Sequence, residues 1–190
     1  DEKYKQFTDA LVAAEAELEA IVASMSVESP EKAKIFNAHI EILKDEEVAE
    51  EVKDMIFSSH AMPDYAVDMV FTELALLLEK AKDPLIAGRA ADLRDVRNRV
   101  LRILKGEKEQ NLSSLREKVV VVAHDLLPSD TATLDRAHVM GIVTEVGGAT
   151  SHTAILASSY KIPAVLGVPN ATEIMKKGEL VILDALKGQV

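Results

Sequence analysis

Apolar residues recur at steps of three and four through the first half of the chain, and no strand-like alternation occurs before residue 117. In residues 1–27, Phe7, Leu11, Ala14, Leu18, Ile21 and Val22 fall on one face and predict an amphipathic helix. Ser29-Pro30 supplies an N-cap and a first-turn proline for a second helix over 30–44. A break near Asp45 separates a third, which runs to Ser59. Met62-Pro63 opens a fourth, to Ala81, and Asp83-Pro84 a fifth, to Lys105, with Gly106 as its stop. Antiparallel helical hairpins with short connections are the packing this predicts.

After a polar stretch over 106–114 the pattern shortens. KVVVVA at 118–123, HVMGIVTE at 138–145, IPAVLG at 162–167 and ELVILD at 179–184 each read as a short strand. A helix beginning near His152 lies between the second and third, which makes a βαβ unit of about 30 residues. The predicted fold class is α plus α/β. A helical hairpin bundle spans 1–107, and a thin β/α domain spans 108–190.

Charge sharpens that division. Residues 1–107 hold 23 Asp/Glu against 14 Lys/Arg, whereas residues 108–190 hold 9 against 8. The net charge of −10 argues against a nucleic-acid partner. The chain has no cysteine, which excludes disulfides, thiolate metal sites and cysteine nucleophiles, and it fits a reducing compartment. No apolar run approaches the length of a membrane span. The chain starts at Asp1, inside a helical pattern, and is expected to be a piece of a longer protein.

The chemistry concentrates in GGATSHTAILA, residues 147–157. Gly147 and Gly148 permit a tight turn after a strand, and Thr150 or Ser151 can cap the helix that follows. His152 then sits in the first turn, where the helix dipole favours an anion and disfavours a second proton on the ring. A neutral imidazole there can attack phosphorus, and Thr150, Ser151 and Thr153 can hold the resulting phosphate. From the residues alone, a capped helix with a partly buried structural histidine fits equally well. The spacing is not that of a nucleotide P-loop, and no histidine pair has metal-ligand spacing.

The GGATSH motif, followed by SSYKIPAVLG, resembles the phosphohistidine loop of phosphoenolpyruvate-using enzymes. FNAHIEILKDEEV at 36–48, RAADLRDVRNRVL at 89–101 and LLPSDTATL at 126–134 narrow the resemblance to the Enzyme I family of the bacterial sugar phosphotransferase system. These motifs occur in family order and span nearly the whole chain. The resemblance implies a helical domain that docks the carrier protein HPr, followed by a swivelling domain that bears the active histidine. It implies that His152 is the nucleophile, takes phosphate on Nε2, and passes it to HPr. A separate barrel, absent from this chain, would bind phosphoenolpyruvate and magnesium, so no metal or cofactor is expected here. The family's leading strands are absent too, which is expected to leave sheet edges exposed. The fragment is expected to be monomeric and cytoplasmic, and its parent a homodimer through the barrel.

The resemblance also assigns supporting residues. Thr131 matches a threonine whose hydroxyl bonds the active histidine, although Asp130 or Thr131 could equally cap a short helix at 131–134. Gly148 lies in the phosphate loop. Lys32, His39, Glu41, Ile42, Glu46, Glu47, Val48 and Arg89 are the candidates for HPr docking. Glu41 to Asp54 holds seven acids and two lysines, and an acidic face suits a basic partner, although most such runs are solvated helix faces. Glu41 departs from the apolar residue of some relatives. His60, His124 and His138 carry no motif, and His124 beside Asp125 reads as a structural pair. Alternatives are the swivelling domain of a phosphoenolpyruvate synthase or pyruvate phosphate dikinase, a docking module without phosphotransfer, and a nitrogen-regulatory paralogue of Enzyme I.

Overall fold

The structure is a computed structural model that describes residues 2–26, 29–108, 112–113, 115–149 and 151–190. The chain divides into two compact units, residues 1–109 and 110–190. The first holds α1 (Glu2–Met25), α2 (Pro30–Leu43), α3 (Glu46–Ser58), α4 (Pro63–Glu79) and α5 (Pro84–Leu104). The second holds β1 (Val119–Ala123), α6 (Pro128–Ala132), β2 (Val139–Thr144), α7 (His152–Tyr160), β3 (Ala164–Leu166) and α8 (Ala171–Ile174).

Local chemistry sets the helix boundaries of the first unit. Prolines stand at the first turns of α2, α4 and α5, where a missing N–H costs nothing. The Asp45 carboxylate accepts from the N–H groups of Glu47 (2.9 Å) and Val48 (3.2 Å), so the α2–α3 break is a true cap. Asp83 caps α5 through the Leu85 N–H at 2.8 Å. Ser29 departs from expectation. It occupies the N-cap position of α2, but its side chain makes no capping bond, and proline alone marks that start. Gly106 ends α5 at φ +67°, a conformation that favours glycine.

The helices pack mainly on sequence neighbours, α4 on α5, α3 on α4 and α1 on α2, with α5 also against α1 and α2. Phe7, Leu18, Phe36, Ile56, Val67 and Phe71 fill the core. On α1 the buried stripe is Phe7, Ala10, Ala14 and Leu18, whereas Leu11, Ile21 and Val22 are half-buried. Across α1 and α5, Glu17 bonds Arg99 at 2.6 Å and also Arg102, so the buried Arg99 head is paired.

The second unit is built on a parallel sheet of order β1–β2–β3. Val139, Ile142 and Val143 of the central strand are buried, and Leu126, Leu134 and Ala157 complete the core. The crossover from β2 through α7 to β3 is the expected βαβ unit. The fourth expected strand, at 179–184, does not form among the described residues. Its alternation is real, since Leu180 and Ile182 are exposed and Val181 and Leu183 half-buried. It makes no ladder, however. The segment rests a side chain on the sheet, where Leu183 fills the space above Gly141, 3.1 Å from where a Cβ would stand. Its bonding is local, with a single antiparallel bridge between Asp184 and Gln189.

Candidate functional site

His152 is the first residue of α7 and is exposed. The turn that delivers it is held by short-range bonds. Thr144, buried at the end of β2, donates its hydroxyl to the Val146 carbonyl at 2.6 Å. Gly147 then adopts φ +102°, and a Cβ there would stand 3.3 Å from Ser151 Oγ. The Ser151 N–H donates to the Gly148 carbonyl at 2.9 Å, and Ser151 Oγ accepts from the Ala154 N–H at 3.2 Å. Ser151 is therefore the cap of α7 and is committed to that bond. A Cβ at Gly148 would meet nothing within 4 Å, so the backbone there is open. Thr150 lies outside the described residues.

Among the described residues, Thr131 is the histidine's hydrogen-bond partner. Thr131 Oγ1 lies 2.8 Å from His152 Nε2 and 2.9 Å from the Pro128 carbonyl. Thr131 is buried inside α6. Its hydroxyl does not cap a helix, which removes the alternative of a helix at 131–134. The N-cap position is Leu127, whose N–H donates to the Asp130 carboxylate at 2.9 Å. Thr153, in the first turn of α7, is buried at 2% exposure.

The docking candidates divide by burial. Glu41, Glu46, Glu47 and Arg89 are exposed, and Lys32 and Ile42 are half-buried. His39 and Val48 are not surface residues. Val48 is buried in α3, and His39, 1% exposed, sets Nε2 3.1 Å from Asp92 Oδ1 of α5. That bond joins α2 to the part of α5 that carries Arg89 one turn earlier. Leu85 and Ile86, in the first turn of α5, are exposed apolar residues that the motif comparison missed. The signal was present as an apolar pair directly after Asp83-Pro84.

A second polar cluster sits at the C-terminal edge of the sheet. Glu145 accepts at Oε1 from the N–H (2.9 Å) and hydroxyl (2.6 Å) of Thr172, and its Oε2 pairs with His124 Nδ1 at 2.7 Å. Thr172 first and His124 next hold this carboxyl down to a pKa of about 2. The partner of His124 is therefore Glu145 and not the adjacent Asp125, whose carboxylate accepts from the Leu126 N–H. Among the described residues, no three His, Cys, Asp or Glu side chains gather as a metal ion requires. No helix among them is long and apolar enough to cross a membrane.

Two family models match the chain. Residues 1–89 match the N-terminal region of PEP-utilising enzymes, and residues 115–188 match their mobile domain. The phosphoenolpyruvate-protein phosphotransferase of Bacillus sp. (strain S) is 41% identical over 186 residues, 97% of this chain and 32% of the relative. That of Mycoplasma pneumoniae is 42% identical over 158 residues, 83% of this chain and 27% of the relative. The chain thus spans about a third of the length of these curated relatives. A solution structure of Enzyme I (nEIt) superposes with TM-score 0.77 at 46% identity, covering 98% of this chain and 76% of that one. The N-terminal domain of Enzyme 1 - Nitrogen superposes with TM-score 0.59 at 25% identity, covering 87% and 67%.

Proposed function

Because the chain belongs to the PEP-utilising enzymes, among the Enzyme I phosphoenolpyruvate-protein phosphotransferases, we propose that it is their phosphohistidine and carrier-docking portion. His152 accepts a phosphoryl group derived from phosphoenolpyruvate and hands it to the carrier protein HPr. The observation that carries this reading is an exposed histidine at the head of α7, held by a buried threonine inside an open glycine turn. The stronger likeness to Enzyme I than to its nitrogen-system counterpart supports the sugar-system branch. The reading places the protein in the cytoplasm.

The hydrogen-bond geometry restricts the ring. The Thr131 hydroxyl has one hydrogen. While it donates to the Pro128 carbonyl, the oxygen can only accept, so Nε2 carries the ring proton and its lone pair is engaged. Attack through Nε2 requires the other tautomer, with the proton on Nδ1. Thr131 then turns its hydrogen to Nε2 and gives the bond up as phosphorus arrives. Loading from phosphoenolpyruvate forms the N–P bond at His152 and breaks the donor's P–O bond; hand-over then breaks that N–P bond, leaving the electron pair on Nε2, and forms one at a histidine nitrogen of HPr. In-line placement of the three atoms supplies most of the catalysis. The first turn of α7 directs its N–H groups and dipole toward the phosphoryl charge.

Magnesium belongs in this reading to the phosphoenolpyruvate-binding domain of the longer relatives, and no step here runs through it. Glu41, Glu46 and Glu47 present negative charge to HPr beside Ile42, and Arg89 lies on the neighbouring helix. His39 and Val48 support that surface from beneath.

The test is transfer from labelled phospho-HPr to the chain, beside His152→Ala with its fold checked by circular dichroism. Acid-labile label on the wild type and none on the variant is the expected result. A folded wild type that takes no label overturns the reading and favours a docking module without phosphotransfer.

A further inference from the structure

The cluster around Glu145 has no part in the transfer itself, yet it sits at the root of the transfer site. Two arms leave the C-terminal edge of the sheet. One runs from β1 through His124 to α6, and its seventh residue after His124 is Thr131. The other runs from β2 through Glu145 to the head of α7, and its seventh residue after Glu145 is His152. Among the described residues, side chains of the two arms meet at the root through His124 Nδ1 and Glu145 Oε2 (2.7 Å), and at the tip through Thr131 Oγ1 and His152 Nε2 (2.8 Å).

The root is tied in the backbone as well. The Glu145 N–H donates to the carbonyls of Ala123 (3.1 Å) and His124 (3.2 Å), and the Val146 N–H to that of His124 (3.1 Å). An isolated exposed ion pair contributes little, because both side chains lose freedom and water screens them. Here one partner is already fixed. The Glu145 side chain is only 16% exposed, and Thr172 at the start of α8 holds its other oxygen with two bonds. The carboxylate is thus aimed at His124 before the pair forms, and only the imidazole has to be ordered.

We propose that the His124–Glu145 pair is a root clamp that sets the spacing of the two arms, so that both are positioning residues for the Thr131–His152 contact. Neither touches the transferred phosphoryl group. The link to rate rests on the reading of His152 as the transfer histidine; the link to ring geometry does not.

The experiment makes His124→Ala and His124→Lys in the whole chain, each with Thr131 intact and with Thr131→Val. It reads the His152 ring nitrogen shifts by NMR, the rate of transfer from labelled phospho-HPr, and the amide spectrum. With Thr131 intact, His124→Ala is expected to move the His152 ring shifts toward those of a free imidazole and to slow transfer about three- to tenfold. With Thr131→Val it is expected to change neither further, and His124→Lys, which can still pair with Glu145, is expected to recover part of both. Unchanged ring shifts in His124→Ala, an equal effect in both backgrounds, or a general loss of amide dispersion would each overturn the clamp. If the wild type takes no label while its ring shifts still respond to His124→Ala, the phosphotransfer reading falls and the clamp stands.

Discussion

His39 Nε2 on α2 and Asp92 Oδ1 on α5 lie 3.1 Å apart, with the imidazole 1% exposed and packed edge-on against Phe36 at 5.9 Å between ring centres. This histidine stands within FNAHIEILKDEEV, the motif that suggests a docking helix, yet it lies inside the bundle. Truncating it removes a core ring and leaves Asp92 without this partner. His39→Ala is therefore expected to destabilise the helical unit by about 2–4 kcal/mol in urea unfolding. A change under about 0.5 kcal/mol, the range of ordinary surface substitutions, would show that the ring contributes nothing to packing.

Glu46 and Glu47 follow the Asp45 cap and are exposed. Their substitution by alanine should cost at most about 1 kcal/mol each in unfolding, since both are exposed and contribute mainly through the helix dipole in the first turn of α3. Association with HPr should slow several-fold at low salt, and the difference should shrink as salt screens the approach. Stopped-flow association across a salt series checks this. A salt-independent loss would mean that the two acids make close contacts and do not steer.

Thr131→Val keeps the shape of the side chain and deletes the hydroxyl. In the wild type that oxygen is shared between His152 Nε2 and the Pro128 carbonyl. The variant is expected to bring the ring toward the tautomer mixture of a free imidazole, read from ring nitrogen shifts. Wild-type shifts in the variant would show that the hydroxyl does not select the tautomer.

Glu145 is held down to a pKa of about 2 by Thr172 and His124. The sign follows from linkage. A carboxyl whose folded pKa lies below its unfolded value stabilises the fold fully above the unfolded value, near 4.5, and loses that contribution as pH falls toward 2. Urea midpoints of the wild type should therefore drop between about pH 4.5 and 2, and the drop should be smaller in Glu145→Gln. Parallel profiles for the two proteins would exclude this carboxyl as the source.

The helices were legible because punctuation marked them. Three prolines, two aspartates and one glycine stand where the helices begin or end, and these residues act locally. The βαβ crossover was legible for a similar reason, since two short apolar runs flank a capped helix. The misreadings share a different cause. Whether His39 and Val48 face in or out depends on which neighbour covers each helix face, and helical periodicity alone does not name that neighbour. ELVILD has strand periodicity, but a strand also needs a partner's backbone, which no pattern within one segment reports. The His124–Glu145 pair joins residues 21 apart through tertiary structure, so the adjacent Asp125 looked like the natural partner. In the site itself, the sequence offered Thr150 or Ser151 as the cap, whereas the choice of Ser151 and the burial of Thr153 required the fold.

The parallel sheet also has a consequence in time. β1 reaches β2 only after residues 124–138 have looped back, and β2 reaches β3 only after residues 145–163 have crossed the sheet. Each closure surrenders chain entropy before any ladder bond returns it. The helices of the first unit mostly find their partners across connections of a few residues. As the chain folds, the surface proposed to receive the carrier therefore assembles first, and the proposed transfer histidine takes its place only after the slower crossovers have closed.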